Sequence, residues 1–479
     1  MRTQFVRRRG LLVHIALTGV LITAVAASAA DAPQRKLSPD EVQRQLKELQ
    51  EQVDRLNRES REHEVAIDNQ TRNPLAQWKD GFLINSADNR FKLKIGAYTQ
   101  LDGRFFINDE VDQNTNQFLF RRARIDLQGT VFKYFDFRIL PDFGGSSVQL
   151  YDSYLDFNYL PEAKLRFGKF KPPVGLERLQ SATSLMFVER GLPTNLVPNR
   201  DIGVQFFGDV LDGAIAYQLG IFNGVPDNLN PTTTNDVNDD KDFAGRVFAA
   251  PFTGTDMSAL KGFGLGLSGS YGRQKGNTST TDVPTYKSTG QATFFSFNGA
   301  VAADNTKTPP VAAQGPVIAF GHRSRISPQA YYYLGPLGAL FEYVHESQEY
   351  ARDKKTATFG NDAWQVAVSY VLTGEPASYK GVTPFRPFQP LGGGWGPGAW
   401  ELTGRVGEIT IDSDAYSSGF ADKTKSADRD SEFVLGANWY LNKNVKLVLN
   451  YAQSEFAGGA KKGNRPNEYA ILSRVQLAF

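Results

Sequence analysis

The sequence predicts an all-β protein, a 16-stranded antiparallel transmembrane β-barrel. Apolar and polar residues alternate in sixteen segments of about ten residues each, which is the length that a tilted strand needs to cross a bilayer. Short turns alternate with long polar loops between these segments, as expected when the two ends of a barrel differ. The chain also starts with an export signal. A soluble β-sandwich is the alternative, but it would require neither the signal nor an even number of strands.

The composition excludes several classes of protein. The chain has 479 residues, a formal net charge of +2 and no cysteine. The near-zero charge argues against a basic surface that would bind nucleic acid, and the lack of cysteine excludes disulfides and thiolate chemistry. The sequence contains four histidines. We therefore expect no metal site, no cofactor and no enzymatic activity.

Residues 1–30 have the three parts of a secretory signal peptide. Four arginines precede an apolar run from Leu11 to Val25, and Ala27-Ser28-Ala29 supplies small residues for cleavage. An uncleaved membrane anchor is the alternative. The apolar run is short and ends in small residues, which favours cleavage.

Residues 38–69 predict a helix. Ser38 can cap it, and Pro39 suits the first helical position. Five apolar residues then recur at alternating spacings of four and three, which is a heptad seam: Val42, Leu46, Leu49, Val53 and Leu56. So short a helix is marginal alone in water. We predict a periplasmic coiled coil that joins copies of the chain into a homotrimer, and a lone amphipathic helix on the barrel is the alternative.

Residues 81–479 are predicted to form the barrel. Residues 364–372 show the pattern, since Trp364 and every second residue after it are apolar. Long polar loops are expected at 223–242, 272–291, 348–361 and 412–430, and the connection at 373–398 is long where a short turn is expected. Aromatic residues near strand ends predict interfacial girdles against outer-membrane lipid: Tyr159, Tyr370, Trp400, Trp439, Tyr440 and Phe479.

The segment from Lys169 to Arg200 interrupts the strand pattern. Pro172 and Pro173 remove two successive backbone donors, so no central strand continues through them. The segment mixes basic and apolar residues, unlike a disordered linker. We predict that it folds back into the barrel as a constriction loop and narrows the lumen with its basic side chains, which are Lys169, Lys171, Arg178, Arg190 and Arg200.

The segment 118–129 shows which face of the sheet meets water. Arg122 and Arg124 share one face, and apolar residues take the other. An arginine that faces lipid at the midplane costs roughly 2–4 kcal/mol, so both arginines must face the pore. Arg121 falls on the lipid side of a regular strand. Either it lies beyond the hydrocarbon edge or a β-bulge turns it inward.

The basic residues of the predicted lumen point to the passage of anions. Rings of arginine and lysine favour anions, and narrow rings can favour phosphate, whose oxygens match the planar fork of arginine. The alternative is that these bases pair with carboxylates and brace the loop, the candidates being Asp142, Asp152, Asp156, Glu177 and Glu189. Both roles can hold at once, because interspersed carboxylates keep anions from binding too tightly to leave.

Several stretches resemble the phosphate-selective porin O and P family, trimeric outer-membrane channels of sixteen strands. They are FLFRRAR (118–124), FGKF (167–170), GLE (175–177), VER (188–190), LTGEP (372–376) and GAWEL (398–402). The resemblance covers residues 91–479 and implies a central anion site. Arg121 and Arg122 match its arginines, and Asp152 matches its aspartate. The other matches lie in the inward loop: Arg190 with an arginine, Arg178 with a lysine and Ser181 with a serine.

Two departures from the family pattern affect the expected selectivity. Tyr98 occupies a position where the phosphate-selective members carry arginine, and residues 276–320 contain no arginine, whereas those members have a ladder of them there. We therefore expect a trimeric outer-membrane porin of a Gram-negative bacterium, passing phosphate or similar small anions with weaker or retuned phosphate selectivity. The alternatives are a porin for another solute such as a carboxylate, an outer-membrane hydrolase with His345 as its base, and a structural or adhesion barrel.

Overall fold

The structure is a computed structural model that describes residues 38–72, 75–107, 115–231, 238–391 and 396–479. The predicted signal peptide, residues 1–30, lies outside these ranges. Two compact units divide the chain, Met1–Asn73 and Pro74–Phe479.

Helix α1 (Pro39–Arg72) is the described element of the first unit. Its first residue is a proline, whose fixed φ suits that position. Three residues of the heptad seam, Leu49, Val53 and Leu56, are 59%, 50% and 64% exposed. Apolar side chains in such a row are available for pairing with another helix, but association through the seam stays a prediction. Among the described residues, no helix has both the length and the apolar character for crossing a membrane.

The second unit is built mainly of strands. Their bounds are β1 (Leu75–Trp78), β2 (Phe82–Asn85), β3 (Lys92–Ile107), β4 (Gln117–Val131), β5 (Phe135–Asp142), β6 (Gln149–Leu160), β7 (Ala163–Phe170), β8 (Asp201–Val210), β9 (Ile215–Phe222), β10 (Asp242–Ala249), β11 (Phe263–Lys275), β12 (Thr285–Lys287), β13 (Thr293–Ser296), β14 (Ile318–Leu334), β15 (Leu337–Arg352), β16 (Lys355–Val371), β17 (Ala399–Thr410), β18 (Ala427–Tyr440), β19 (Val445–Gly458) and β20 (Glu468–Ala478). Short helices lie in the connections: α2 (Leu176–Leu179), α3 (Asp414–Ser417) and 3-10 turns at Leu192–Leu196 and Ser258–Leu260.

In the described part of the chain, sixteen of these strands close into one antiparallel barrel. They are β3–β11 and β14–β20, and β20 pairs back onto β3 with Leu472 opposite Arg104. The predicted 16-stranded barrel is therefore confirmed. The β1–β2 hairpin extends the sheet beside the first residues of β3, and β12 and β13 form a separate hairpin within the connection 276–317. Closure leaves no open edge among the sixteen strands, which removes the usual site of sheet aggregation.

The two faces of the barrel follow the predicted alternation. In β16, Trp364, Val366 and Val368 are exposed on the outer face, whereas Gln365 and Ser369 are buried on the lumen side. Polar side chains inside and apolar ones outside are the reverse of a soluble sandwich and suit a lipid environment. The β-sandwich alternative is thus excluded.

Aromatic rings lie at the ends of the outer face. Trp400 and Trp439 stack with their ring centroids 4.9 Å apart, and Tyr370 is exposed. The girdle prediction for Tyr440 is wrong, because this side chain is buried and its hydroxyl donates to Glu401 Oε2 over 2.8 Å. Tyr440 follows the outward Trp439, and consecutive residues of a strand face opposite sides.

The prediction of a long loop at 348–361 is also wrong. β15 continues to Arg352 and β16 starts at Lys355, so a two-residue turn joins them. These strands have 16 and 17 residues, more than a bilayer crossing requires. Their polar ends therefore project beyond the hydrocarbon, where a strand no longer needs an apolar outer face. Long connections do lie at 223–241, 276–317, 372–398 and 411–426.

Candidate functional site

The segment between β7 and β8 folds into the barrel. Residues 171–200, here named the constriction loop, form α2, a 3-10 turn and irregular backbone instead of a strand. Five of their apolar side chains are at most 1% exposed: Val174, Leu176, Leu185, Phe187 and Val188. Leu176 and Val188 belong to one cluster with Leu340 and Val434 of the wall. Since burying each such side chain contributes roughly 1.5–3 kcal/mol, the loop is held against the lumen wall.

Polar side chains of the wall hold the backbone of the constriction loop. Glu342 on β15 accepts from the backbone N–H of Leu176 over 2.6 Å and of Glu177 over 3.1 Å, at the start of α2. Asn450 accepts from the Val188 N–H over 2.8 Å. Loop carbonyls accept from further wall donors: Ala182 from Gln100, Thr183 from Gln476, Leu185 from Lys446, Met186 from Asn438 and Glu189 from Arg405. Because an unpaired buried polar group costs about 1–3 kcal/mol, these contacts fix the path of the loop.

The long connection at 372–398 supports the constriction loop from the turn end of the barrel. The Tyr379 hydroxyl donates to the Leu176 carbonyl over 2.6 Å, and the Tyr379 carbonyl accepts from Gln180 Nε2 over 2.8 Å. Tyr379 also lines the lumen. The unexpected length of this connection in the sequence therefore has a structural role.

A cavity of about 730 Å³ lies between the constriction loop and the wall. Eight of the nine predicted site residues line it: Arg121, Arg122, Arg124, Asp152, Lys171, Arg178, Ser181 and Arg190. Lys169 is the exception and corrects the prediction, because its ammonium donates to the Pro231 carbonyl and does not line the cavity. Its neighbour Phe170 takes the lumen-facing position, and consecutive strand residues point to opposite faces.

Arg121 reaches the cavity through a β-bulge. In the β3–β4 ladder, Arg122 pairs with Gln100 and Phe120 pairs with the next residue of β3, so Arg121 is the extra residue. Its Nε and Nη2 donate to the carboxylate of Glu189 over 2.6 and 3.2 Å. Of the two alternatives that the sequence left open, the bulge is therefore correct.

The carboxylates that were predicted to brace the loop each lie beside an arginine. The pairs are Asp142 with Arg124 (2.7 Å), Asp152 with Arg138 (3.2 Å) and Arg200 (3.1 Å), Asp156 with Arg166 (2.7 Å), Glu189 with Arg104 (2.9 Å) and Arg121 (2.6 Å), and Glu177 with Arg405 (3.9 Å). These carboxylates orient the guanidinium groups and reduce the field that an ion meets. Against the effect of burial, Arg121 and Arg104 hold the pKa of Glu189 well below its ordinary value of 4.5.

Four of the predicted basic residues form no ion pair with any described carboxylate: Arg122, Lys171, Arg178 and Arg190. Neutral acceptors hold them instead. Arg122 Nη1 donates to Gln100 Oε1 over 2.6 Å, and Arg178 Nη2 donates to the Thr194 carbonyl over 2.6 Å. No described carboxylate lies within ion-pair distance of these four side chains, so much of their charge remains available to an ion in the lumen.

Lys171 shares a backbone acceptor with Arg190. Its Nζ donates to the carbonyls of Leu179 over 3.2 Å and Gln180 over 2.9 Å, and Arg190 Nη2 donates to the same Gln180 oxygen over 2.9 Å. Burial, followed by the charges of Arg200 and Arg190, lowers the pKa of Lys171 well below the ordinary 10.5. An anion beside Lys171 would relieve this repulsion and favour its protonated form.

Tyr98 adds no positive charge to the cavity, but it orients the guanidinium group of Arg124. It stands where the family pattern has arginine, and its hydroxyl accepts from Arg124 Nη1 over 2.6 Å. The Arg124 guanidinium also lies 3.7 Å from the ring centroid of Tyr151, and that of Arg200 lies 4.7 Å from the same ring. Tyr98 and Tyr151 both line the cavity, so this part of the lumen combines charge with aromatic surface.

Further basic residues line the cavity that were not selected from the sequence as site residues: Arg138, Arg166, Arg200, Arg246 and Lys287. Arg138 and Arg166 occupy inward positions of β5 and β7 between outward apolar neighbours, the same signal that placed Arg122. Lys287 had no such signal. Tertiary contacts hold its hairpin inside the barrel. The Asn195 side chain hydrogen-bonds with both the N–H and the carbonyl of Lys287.

His345, the base considered for a hydrolase, pairs with a carboxylate. Its Nδ1 lies 2.8 Å from Asp362 Oδ1, and the Tyr343 hydroxyl donates to the same oxygen. Within the described residues, no serine or threonine hydroxyl hydrogen-bonds to the His345 ring. The arrangement therefore lacks an activated nucleophile.

A family model and several known porins match this chain. A family model described as phosphate-selective porin O and P matches residues 93–479. Porin O of Pseudomonas aeruginosa is 22% identical over 414 residues, which are 84% of this chain and 91% of that protein. The outer-membrane channel DcaP of Acinetobacter baumannii matches with a TM-score of 0.49 and 12% identity, over 81% of this chain and 97% of the other. OmpF of Salmonella typhi matches with a TM-score of 0.48 and 9% identity, over 85% of this chain and 100% of the other. The protein is an outer-membrane porin and belongs to the phosphate-selective porin O and P family.

Proposed function

We propose that this porin passes small anions, phosphate or similar, by passive diffusion. The charge of the cavity carries the proposal, since eleven of its described lining residues are arginine or lysine and two are carboxylates. Fixed cations lower the energy of an anion in a narrow pore and raise that of a cation. The basic residues without a carboxylate partner keep this field from being cancelled.

Phosphate is the anion named in the family description, and the inward arginines supply the planar donors that suit it. The two departures from the family pattern support a weaker preference for phosphate over other anions. Tyr98 adds no charge, and the connection 276–317 contributes Lys287 to the cavity but contains no arginine. A lysine binds phosphate as a point charge and gives less geometric selection than a guanidinium. Other small anions, carboxylates included, are therefore expected to share the channel.

Planar-bilayer recording tests the proposal. The wild-type channel should show discrete conductance steps and a reversal potential that favours anions, and phosphate added to chloride should reduce the current. The double variant Arg121→Ala/Arg122→Ala should lower the anion preference. The control is Lys461→Gln/Lys462→Gln, which removes two exposed charges from the β19–β20 connection outside the cavity. Equal selectivity in the wild type and the Arg121/Arg122 variant would remove these residues from the anion path.

The same recordings separate the remaining alternatives. A channel for carboxylates would show a larger current reduction with acetate or succinate than with phosphate. A structural or adhesion barrel would show no conductance steps at any salt concentration. Either result would replace the proposed phosphate-like substrates.

We infer that copies of the chain associate as a homotrimer and that the helix predicted at 38–69, which belongs to α1, forms a coiled coil in the periplasm. We also infer that residues 1–30 are a cleaved signal and that residues 81–479 are the barrel domain. The exposed seam of Leu49, Val53 and Leu56 supports the coiled coil, because helices of this kind gain stability by burying such a row. Leu49→Gln/Leu56→Gln should lower the oligomer mass measured by light scattering in detergent, or shift its dissociation to lower temperature. If the mass and the dissociation temperature of the oligomer did not change, the barrel alone would be responsible for assembly.

A further inference from the structure

The outer wall of the barrel carries an apolar groove of about 640 Å³ across β7–β11. Gly245 and Gly269 lie in its floor and are direct partners in the β10–β11 ladder. Neither has a side chain to fill the space, while Leu219, Phe243 and Tyr271 line the groove with larger groups. The wall therefore has a local depression where neighbouring positions carry large apolar side chains.

Two basic side chains lie beyond the groove, on the side of the loop end of the barrel. Arg273 and Lys275 lie on the same face of β11 as Tyr271, two and four positions further along. With a rise of about 3.4 Å per residue, their Cα atoms are about 7 and 14 Å beyond Tyr271. Both are exposed, and neither forms an ion pair with a described carboxylate. His322 is the cross-strand partner of Arg273 on β14.

Tyr271 marks the boundary between the apolar and the charged part of this surface. Its ring stacks on His322 with the centroids 5.5 Å apart, and its hydroxyl hydrogen-bonds with His322 Nδ1 over 2.8 Å. Tyrosines with an apolar body and a polar tip mark the level of lipid headgroups. The groove below Tyr271 therefore lies at acyl-chain depth, and Arg273 and Lys275 lie at headgroup depth.

We propose that this surface binds one anionic lipid of the outer leaflet. An acyl chain lies in the groove over Gly245 and Gly269, and a headgroup phosphate contacts Arg273 and Lys275. The charge complementarity is specific to this ligand class, because no described carboxylate forms an ion pair with Arg273 or Lys275 and a phosphate of the leaflet supplies a partner at headgroup level. The loop end of the barrel faces outward, since long loops of such barrels lie on the cell exterior. The site rests on the outer-membrane location and is independent of the anion selectivity of the lumen.

Native mass spectrometry of the purified porin in detergent tests the site. The probe is diphosphoryl lipid A, compared with its dephosphorylated form and with inorganic phosphate. Each cation near a membrane surface contributes about fivefold to the binding of an anionic lipid, so Arg273→Gln/Lys275→Gln should weaken lipid A binding by about 30-fold. The matched control Lys461→Gln/Lys462→Gln removes the same charge from another connection at the same end and should bind as wild type.

A second variant fills the groove without changing charge. A Cβ at Gly245 first meets the flexible end of the Leu219 side chain, at 2.9 Å, so Gly245→Leu is tolerated there. It should weaken lipid A binding and leave channel conductance unchanged, because Gly245 lies outside the cavity lining. Dephosphorylated lipid should bind the wild type and Arg273→Gln/Lys275→Gln equally weakly.

Three outcomes would overturn the inference. Equal binding of lipid A by wild type and the double variant would remove the headgroup contact. If inorganic phosphate displaced lipid A, and the displacement depended on Arg273 and Lys275, these residues would be a binding site for free phosphate. A lower oligomer mass in Gly245→Leu would show that the groove is an interface between copies of the chain.

Discussion

Neutralising Lys171 is expected to reduce the anion preference of the pore. Lys171 lines the cavity and forms no ion pair with a described carboxylate, so Lys171→Gln removes one uncancelled positive charge. Glutamine keeps the ability to donate to the carbonyls of Leu179 and Gln180, which Lys171 now satisfies. The change therefore tests charge with little effect on the path of the constriction loop.

The size of the effect follows from Coulomb's law. A monovalent ion that passes about 5 Å from the ammonium gains or loses about 0.8 kcal/mol at the dielectric constant of water. Screening at about 0.1 M salt reduces this to about 0.5 kcal/mol. Without the ammonium, the barrier for the anion rises by this amount and the barrier for the cation falls by it, so the difference between the two barriers shrinks by about 1 kcal/mol. The ratio of anion to cation permeability should fall about fivefold.

Reversal potentials across a KCl gradient, recorded in planar bilayers at low salt, measure this ratio. The dependence on pH gives a second readout, because the lowered pKa of Lys171 means that its charge is lost at a lower pH than in an ordinary lysine. The anion preference of the wild type should therefore fall over a pH range that lies below the ordinary lysine pKa of 10.5. Lys171→Arg should keep its preference over this range, since arginine stays protonated.

Lys169→Gln is the matched control, two residues earlier in the chain. Lys169 bonds to the Pro231 carbonyl and does not line the cavity, so its loss should change the permeability ratio much less than the loss of Lys171. Equal shifts in the two variants, or a wild-type ratio that does not depend on pH, would refute the assignment of Lys171 to the ion path.

Three further changes probe the support of the lumen. Glu189→Gln should raise the anion preference and lower the unfolding temperature, because the buried Arg104 and the partly buried Arg121 lose their partner at a cost of about 3–5 kcal/mol; unfolding followed by tryptophan fluorescence checks this. Glu342→Leu leaves two N–H groups of α2 unpaired, and it should increase current noise at unchanged single-channel selectivity. Gly168→Ala should destabilise the barrel by about 3 kcal/mol or more, because Gly168 has φ +131° and a Cβ would lie 2.2 Å from a carbonyl oxygen. Gly254→Ala, whose Cβ meets nothing within 4 Å, should leave stability unchanged, and equal stability of the two glycine variants would contradict this account.

Alternation along the strands allowed much of the wall to be predicted. Arg122 and Arg124 were placed inward from their neighbours alone, and the structure places both in the cavity. The same alternation places Arg138 and Arg166 on the inner face, although they were not selected as site residues from the sequence. Alternation failed at irregular positions. It put Arg121 on the lipid side, because an extra residue in one strand can be recognised only from the register of its partner.

The sequence by itself determined the barrel, the inward constriction loop and the basic character of the lumen. Each of these depends on local order, such as the period of two, the paired prolines or the clustering of bases. Tertiary structure decided which bases carry free charge. Arg124 is paired with Asp142 of the neighbouring strand, and Lys171 has neutral acceptors in its own loop. Glu189 of the constriction loop, in contrast, is paired with Arg104 and Arg121 of the wall. The inward path of the constriction loop brings Glu189 to these arginines, so the charge balance of the lumen is a property of the folded chain.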